Sequence, residues 1–279
     1  MSKPTVIELG TVLAGRYELV AELAFGAMGD VFEARDRTDG GKVAVKVLRA
    51  EYLADDAMRR RFRREGAVLK ALDHPAIVRL LEIGIDESGQ VFLVTEYVDG
   101  QTLAERLSDR ALTIREADAL VDALSAGLGA VHEHGVLHGD LKPANVIWPV
   151  DGSPRLVDFG ASKILGLDRL TATGEVSGTP AYMAPEVLTG KTDVDQRIDV
   201  YGLGVLLYEA LSATTPFEDR HLGRLMMKID AGDCLPIDAV AEVAPEIAAV
   251  VGRAMHPDKE ARYANMAELN TAWQRARYG

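Results

Sequence analysis

The sequence predicts an α+β fold in two lobes: an antiparallel β-sheet lobe with one main helix, then a larger and mostly α-helical lobe. Three observations predict it. Short apolar runs split by glycine- and aspartate-bearing turns fill the first hundred residues. Segments with helical spacing of apolar residues dominate the remainder. The character changes at Asp99-Gly100, and at 279 residues with 48% hydrophobic content the chain is long enough for two packed units.

Residues 1–15 show no clear periodicity and read as a lead-in. Residues 16–99 form the predicted small lobe and residues 100–279 the large one. Tyr17–Leu23, Asp30–Ala34 and Val43–Leu48 read as an antiparallel meander, with Gly26 and Gly29 in the first connection and Asp39-Gly40-Gly41 in the second. Met58, Phe62, Leu69 and Leu72 then share one helical face, and Glu65 sits in the middle of that apolar stripe. A carboxylate facing a core needs a partner. Val78–Ile85 and Val91–Tyr97 read as two more strands joined by Asp86-Glu87-Ser88-Gly89. Helices are predicted around Ile114–His134, Ile198–Ser212, Glu246–Ala254 and Met266–Arg275.

With 31 basic against 43 acidic residues the net charge is -12, which disfavours nucleic-acid or membrane binding through bulk charge. The single cysteine, Cys234, cannot form an internal disulfide, and Cys/His spacing offers no zinc site. No signal sequence and no apolar window of about 18 residues is present, so the expectation is a cytoplasmic chain without a direct membrane segment, or the cytosolic domain of a longer membrane-anchored protein.

The chemistry is concentrated in His138-Gly139-Asp140-Leu141-Lys142-Pro143-Ala144-Asn145, followed by Asp158-Phe159-Gly160. Phosphoryl transfer needs a carboxylate to orient the attacking hydroxyl, and oxygen donors to hold a metal ion on the nucleotide. The block resembles the catalytic and metal-binding loops of eukaryotic-type (Hanks-type) protein kinases, and its Asp-Leu-Lys-Pro form is similar to the serine/threonine branch. The resemblance implies ATP and Mg²⁺, with Mn²⁺ as a substitute. It casts Asp140 as the group that takes the substrate proton, Lys142 as neutralising the transferred phosphoryl, and Asn145 and Asp158 as metal ligands. His138 and Phe159 would pack the two loops together.

The resemblance extends from about Tyr17 to Trp273 and is nearest in wording to bacterial serine/threonine kinases. Leu23-Ala24-Phe25-Gly26-Ala27-Met28-Gly29-Asp30-Val31 is similar to the glycine-rich phosphate loop, with Ala24 where its first glycine stands. Strand alternation puts Ala44 and Lys46 on one face. There the family implies adenine packing and phosphate contact, with Glu65 as the partner of Lys46. Glu96 and Val98 would offer backbone groups to adenine with Thr95 behind the base, and Ile147 joins the ATP-binding set.

Ser177 to Glu186 resembles the peptide-binding loop, with Thr179 bridging Asp140 and Lys142, and Arg262 matches the partner of Glu186. Asp199-Val200-Tyr201-Gly202-Leu203-Gly204 resembles the start of the central helix of the large lobe. Thr171 and Thr173 are the candidate autophosphorylation sites, and a transient homodimer would serve that reaction in trans. Arg59, Arg60, Arg61, Arg63 and Arg64 read either as a solvated helix face or as a phosphate dock.

One departure is Gly139, which stands where the best-known branch has an arginine that holds a phosphorylated activation segment. The resemblance therefore does not carry that switch to this chain. His-Gly-Asp also resembles small-molecule kinases of the aminoglycoside or choline type, and Gly139 together with Ala24 leaves a nucleotide-binding pseudokinase scaffold as a further alternative. The expected function is transfer of the ATP γ-phosphoryl group to serine or threonine of protein substrates, without a nucleic-acid partner.

Overall fold

The structure, a computed structural model, describes residues 8–25, 29–48, 70–87, 89–150, 152–158 and 180–279. The chain divides into two compact units, one of Met1–Asp73 with Val78–Val98 and the other of His74–Ile77 with Asp99–Gly279.

The first unit is built on β1 (Val12–Leu13), β2 (Tyr17–Phe25), β3 (Gly29–Asp36), β4 (Lys42–Leu48), β5 (Leu80–Ile85) and β6 (Val91–Glu96). Among the described residues these form one antiparallel sheet in the order β1-β2-β3-β4-β6-β5. Alternation is clean along β4, where Val43, Val45 and Val47 are buried while Ala44 and Lys46 are half-buried. Phe32, Phe92 and Val94 join those valines in the core. Each such side chain contributes about 1.5–3 kcal/mol on leaving water.

The meander and the strand pair after it follow the sequence reading. The residues read as a lead-in differ: Val12 and Leu13 pair with Glu18 and Tyr17, and Leu13 is buried in the same core. A two-residue strand has no period to detect, so burial of Leu13 is what recruits it. The helix expected over Met58–Leu72 lies largely outside the described residues, as do Glu65, Gly26 and the arginine run.

The second unit is mainly helical: α1 (Leu103–Asp109), α2 (Ile114–Glu133), α3 (Pro185–Leu188), α4 (Arg197–Ser212), α5 (Leu222–Ala231), α6 (Pro245–Ala254) and α7 (Met266–Tyr278). Capping boxes start α1 and α2, with Thr102 and Thr113 each exchanging hydrogen bonds with a glutamate three residues on. Helix α4 is buried almost all round, so it is the centre of this unit. A Cβ at Gly204 would stand 2.8 Å from the Cβ of Ala254, which explains the glycine where α4 meets α6.

Helix α7 is fastened to α2 by one buried carboxylate. Asp118 Oδ1 accepts from Trp273 Nε1 at 2.9 Å and Arg277 Nε at 2.7 Å, and Oδ2 accepts from Arg277 Nη2 at 3.0 Å and the Tyr278 hydroxyl at 3.1 Å. Burial alone would push this carboxyl up, but bonds from Arg277, Trp273 and Tyr278 hold it below the ordinary range. A second small antiparallel sheet, β7 (Gly100–Thr102), β8 (Val146–Pro149) and β9 (Arg155–Leu156), carries the loop of interest. Its strands and helices α1 and α3 were not foreseen, being too short to show a period, and neither was α5, although it is as long as α6. Among the described residues no helix is long and apolar enough to cross a membrane.

Candidate active site

The loop from His138 to Asn145 lies between α2 and β8 and ends in a 3-10 turn over Pro143–Asn145. Proline opens that turn because it needs no donor there and its φ is already set. The turn brings Asn145 back against Asp140: the amide nitrogen donates to the Asp140 carbonyl at 2.8 Å and to its Oδ2 at 3.1 Å. Lys142 Nζ reaches the same Oδ2 at 2.9 Å, with both side chains about four-fifths shielded from solvent. Among the described residues both of these side-chain contacts fall on Oδ2.

Asp158 is brought to this loop by the β8–β9 hairpin. Val146 pairs with Leu156, Ile147 pairs with Arg155, and the ladder is continued by the Val157 N–H donating to the Asn145 carbonyl at 2.9 Å. Asp158 directly follows, at φ +59, a left-handed conformation that costs a non-glycine residue energy and is commonest at functional positions. His138 completes the link: its Nδ1 accepts the Asp140 N–H at 3.2 Å while its Nε2 faces the Val157 carbonyl at 3.4 Å. Complete burial drives the His138 imidazole below its ordinary pKa and so keeps it neutral, as one accepting and one donating nitrogen require.

The loop is anchored from below by Asp199, in the first turn of α4. Oδ1 accepts the Gly139 N–H at 2.7 Å, and Oδ2 accepts the His138 N–H at 2.8 Å and His132 Nε2 at 2.7 Å. Burial pushes Asp199 up, yet the bonds from His132 and the Gly139 amide outweigh it and leave the carboxyl below its ordinary value. Gly139 has φ +71, which glycine adopts freely. Sequence reasoning assigned Asp199 no role and missed His132. The available signal was a carboxylate at the start of the run Ile198 to Leu207, which is otherwise apolar but for Tyr201.

In the first unit, cross-strand register puts Val31, Lys46 and Leu93 opposite one another, and Glu33, Ala44 and Thr95 likewise. Val31, Ala44, Lys46 and Thr95 therefore share one face of the sheet, as alternation predicted for Ala44 and Lys46. Leu93 on that face was not foreseen. Glu96 is tied to Arg79 through its backbone N–H, at 3.0 Å to the Arg79 carbonyl, and through its Oε1, which accepts the Arg79 N–H at 2.7 Å. Leu23 is exposed on β2 and Val98 is half-buried just past β6. Gly29 packs so tightly on β4 that a Cβ would stand 2.2 Å from the Val47 carbonyl oxygen. Phe159, Thr171, Thr173 and Thr179 lie outside the described residues.

The donor set suits a hard divalent cation. Committing the Asn145 nitrogen to Asp140 turns the amide oxygen to the free end, and one amide oxygen with one carboxylate is what Mg²⁺ takes when phosphates and water supply the rest. Among the described residues no cluster of three His, Cys, Asp or Glu offers an all-protein metal cage.

Glu186 and Arg262 form a buried pair, with Nη1–Oε1 at 2.7 Å and Nη2–Oε2 at 2.8 Å. The remaining Arg262 N–H groups reach the carbonyls of His256, Arg197 and Pro257. All five guanidinium donors are thus used.

Residues 17–274 match the family model described as the protein kinase domain. The chain is 38% identical over 264 residues to the serine/threonine-protein kinase PknB of Mycolicibacterium smegmatis, covering 92% of this chain and 42% of that protein. It is 36% identical over 275 residues to PknB of Mycobacterium tuberculosis, covering 96% of this chain and 44% of that protein. The chain thus spans less than half the length of these curated relatives. The crystal structure of the PknI kinase domain of Mycobacterium tuberculosis superposes with a TM-score of 0.78 at 29% identity, covering 98% of this chain and 99% of that one. The chain belongs to the protein kinase domain family and is a Hanks-type catalytic domain of the bacterial serine/threonine-kinase kind.

Proposed function

We propose that this domain transfers the γ-phosphoryl group of ATP to serine or threonine hydroxyls of proteins. The observation that carries the reading is the Asp140 carboxylate, steadied by Lys142 and Asn145 on one oxygen, with Asn145 tied through its backbone to the residue before Asp158. Asp140 orients the substrate hydroxyl and accepts its proton as the new O–P bond forms. Lys142, 2.9 Å from Asp140, supplies positive charge beside the developing negative charge. Asn145 and Asp158 would hold Mg²⁺, or Mn²⁺ in its place, and the metal when bound screens the phosphate oxygens.

Lys46 would meet the α- and β-phosphates with Glu65 as its partner, and Gly26 and Gly29 would let backbone amides approach them. Leu23, Val31, Ala44 and Ile147 would pack on adenine, and Glu96 and Val98 would offer it backbone groups. Thr179 positions the peptide hydroxyl, and Thr171 and Thr173 receive phosphate in trans within a transient homodimer. We place the domain on the cytosolic side, in keeping with its use of ATP. Incubation with radiolabelled ATP and Mg²⁺ should label a generic protein substrate or the chain itself, with Asp140→Asn as the control. A chain that binds nucleotide but labels nothing would be a pseudokinase.

A further inference from the structure

We infer that Arg106 is a positioning residue for the nucleotide: it braces strand β8 from the face opposite Ile147, and so sets how tightly Mg-ATP is held. The consequence for binding rests on the kinase reading, in which Ile147 packs on adenine and Asn145 holds the metal, while the brace itself rests on geometry.

Helix α1 buries Leu103 and Leu107, and Arg106 stands one turn after Leu103, at the edge of that apolar stripe. An arginine placed there, with its side chain 22% exposed, needs its charge met at close range. Its Nη2 donates to Glu116 Oε1 at 2.6 Å, in the first turn of α2, and its guanidinium carbon lies 4.4 Å from the centre of the Trp148 ring. The carboxylate is itself fixed. The Thr113 N–H and hydroxyl each donate to Oε2 at 2.8 Å, and Arg110 donates to both oxygens, at 2.8 and 2.7 Å. A guanidinium held by a fixed carboxylate, and partly shielded from water, is a firm plane for an indole to lie on.

Trp148 pairs with Gln101 and Ile147 with Thr102, so these two neighbours on β8 project from opposite faces of the small sheet. Ile147 also pairs with Arg155 on β9, the strand that leads to Asp158. Helix α1 packs both on β8 and on the Pro143–Asn145 turn. Arg106 thus joins α1, the start of α2 and β8 directly behind the residue proposed for adenine, and three residues on from Asn145. An aliphatic side chain at this position would cover the indole without fixing it, because it has neither the charge nor the donor that Glu116 takes.

Arg106→Met keeps the reach of the side chain and removes the charge, with Arg106→Gln to stand in should it not fold, and Arg106→Lys restores a cation. Trp148→Leu removes the ring. Arg110→Met takes a donor from the same carboxylate while leaving the stacked pair in place. Calorimetric titration with Mg-ADP should show Kd raised about fivefold or more in Arg106→Met and in Trp148→Leu, and within about twofold of the natural chain in Arg106→Lys and Arg110→Met. The double variant Arg106→Met with Trp148→Leu should bind about as well as either single one, because the two residues act as a pair. In the transfer assay KM for ATP should follow Kd, with kcat and KM for peptide within about twofold of the natural chain. The role is overturned if Arg106→Met binds Mg-ADP within about twofold of the natural chain, if Arg110→Met weakens binding as much, or if the two single effects multiply in the double variant. Either of the first two results leaves the kinase reading standing so long as the natural chain binds and transfers. A natural chain that binds no Mg-ADP defeats that reading, and the role of Arg106 with it.

Discussion

The Arg262 guanidinium and the Glu186 carboxylate meet in two parallel hydrogen bonds, with both side chains buried and every remaining guanidinium donor taken by a backbone carbonyl. The Tyr201 ring lies 4.8 Å from the guanidinium carbon. Such a pair holds α3, which carries Glu186, to the segment that precedes α7.

Removing one partner strands a buried charge. Arg262→Met or Glu186→Leu should each lower stability by about 3–5 kcal/mol, whereas the double variant should lose less than the two summed. Urea unfolding of the three variants gives the comparison directly.

Asp140→Asn keeps the shape and both neighbours but cannot take a proton. Phosphoryl transfer should fall by about 10²–10⁴-fold with little change in melting temperature. A variant that retains transfer would remove Asp140 from the role proposed for it.

How much of this was legible beforehand follows from what each residue needs. Lys46 and Ala44 could be placed on one face because strand alternation is local, and Asp140, Asn145 and Asp158 because one loop and one hairpin carry them all. His132 and Asp199 are 67 residues apart, and only the folded packing of α2 on α4 gives either a reason to be polar. Likewise β1 exists because Leu13 finds a core, which no two-residue pattern could announce.

Acid should destabilise the domain in a defined window. Asp36, held by Arg16, and Glu116, held by Arg110, are both lowered to about 2 from ordinary values of 3.8 and 4.5. Because the folded values are depressed, their contribution is complete above the ordinary values and disappears as pH falls from about 4.5 through 2. Asp36→Asn and Glu116→Gln should each flatten the decline of unfolding free energy across that range while being less stable than the natural chain at neutral pH.

Gly29→Ala separates a structural demand from a phosphate-binding one. Its Cβ would press on the Val47 carbonyl at 2.2 Å, and backbone cannot swing aside as a side-chain tip can. A loss of about 1–3 kcal/mol is expected even without nucleotide, measured by thermal or urea unfolding.

The four bonds converging on Asp118 set a practical rule for anyone trimming this domain. Three of its donors come from Arg277 and Tyr278. A shortened protein that stops at Gln274 would leave that acid enclosed with the Trp273 indole as its remaining donor from α7, so it should be made to run at least through Tyr278.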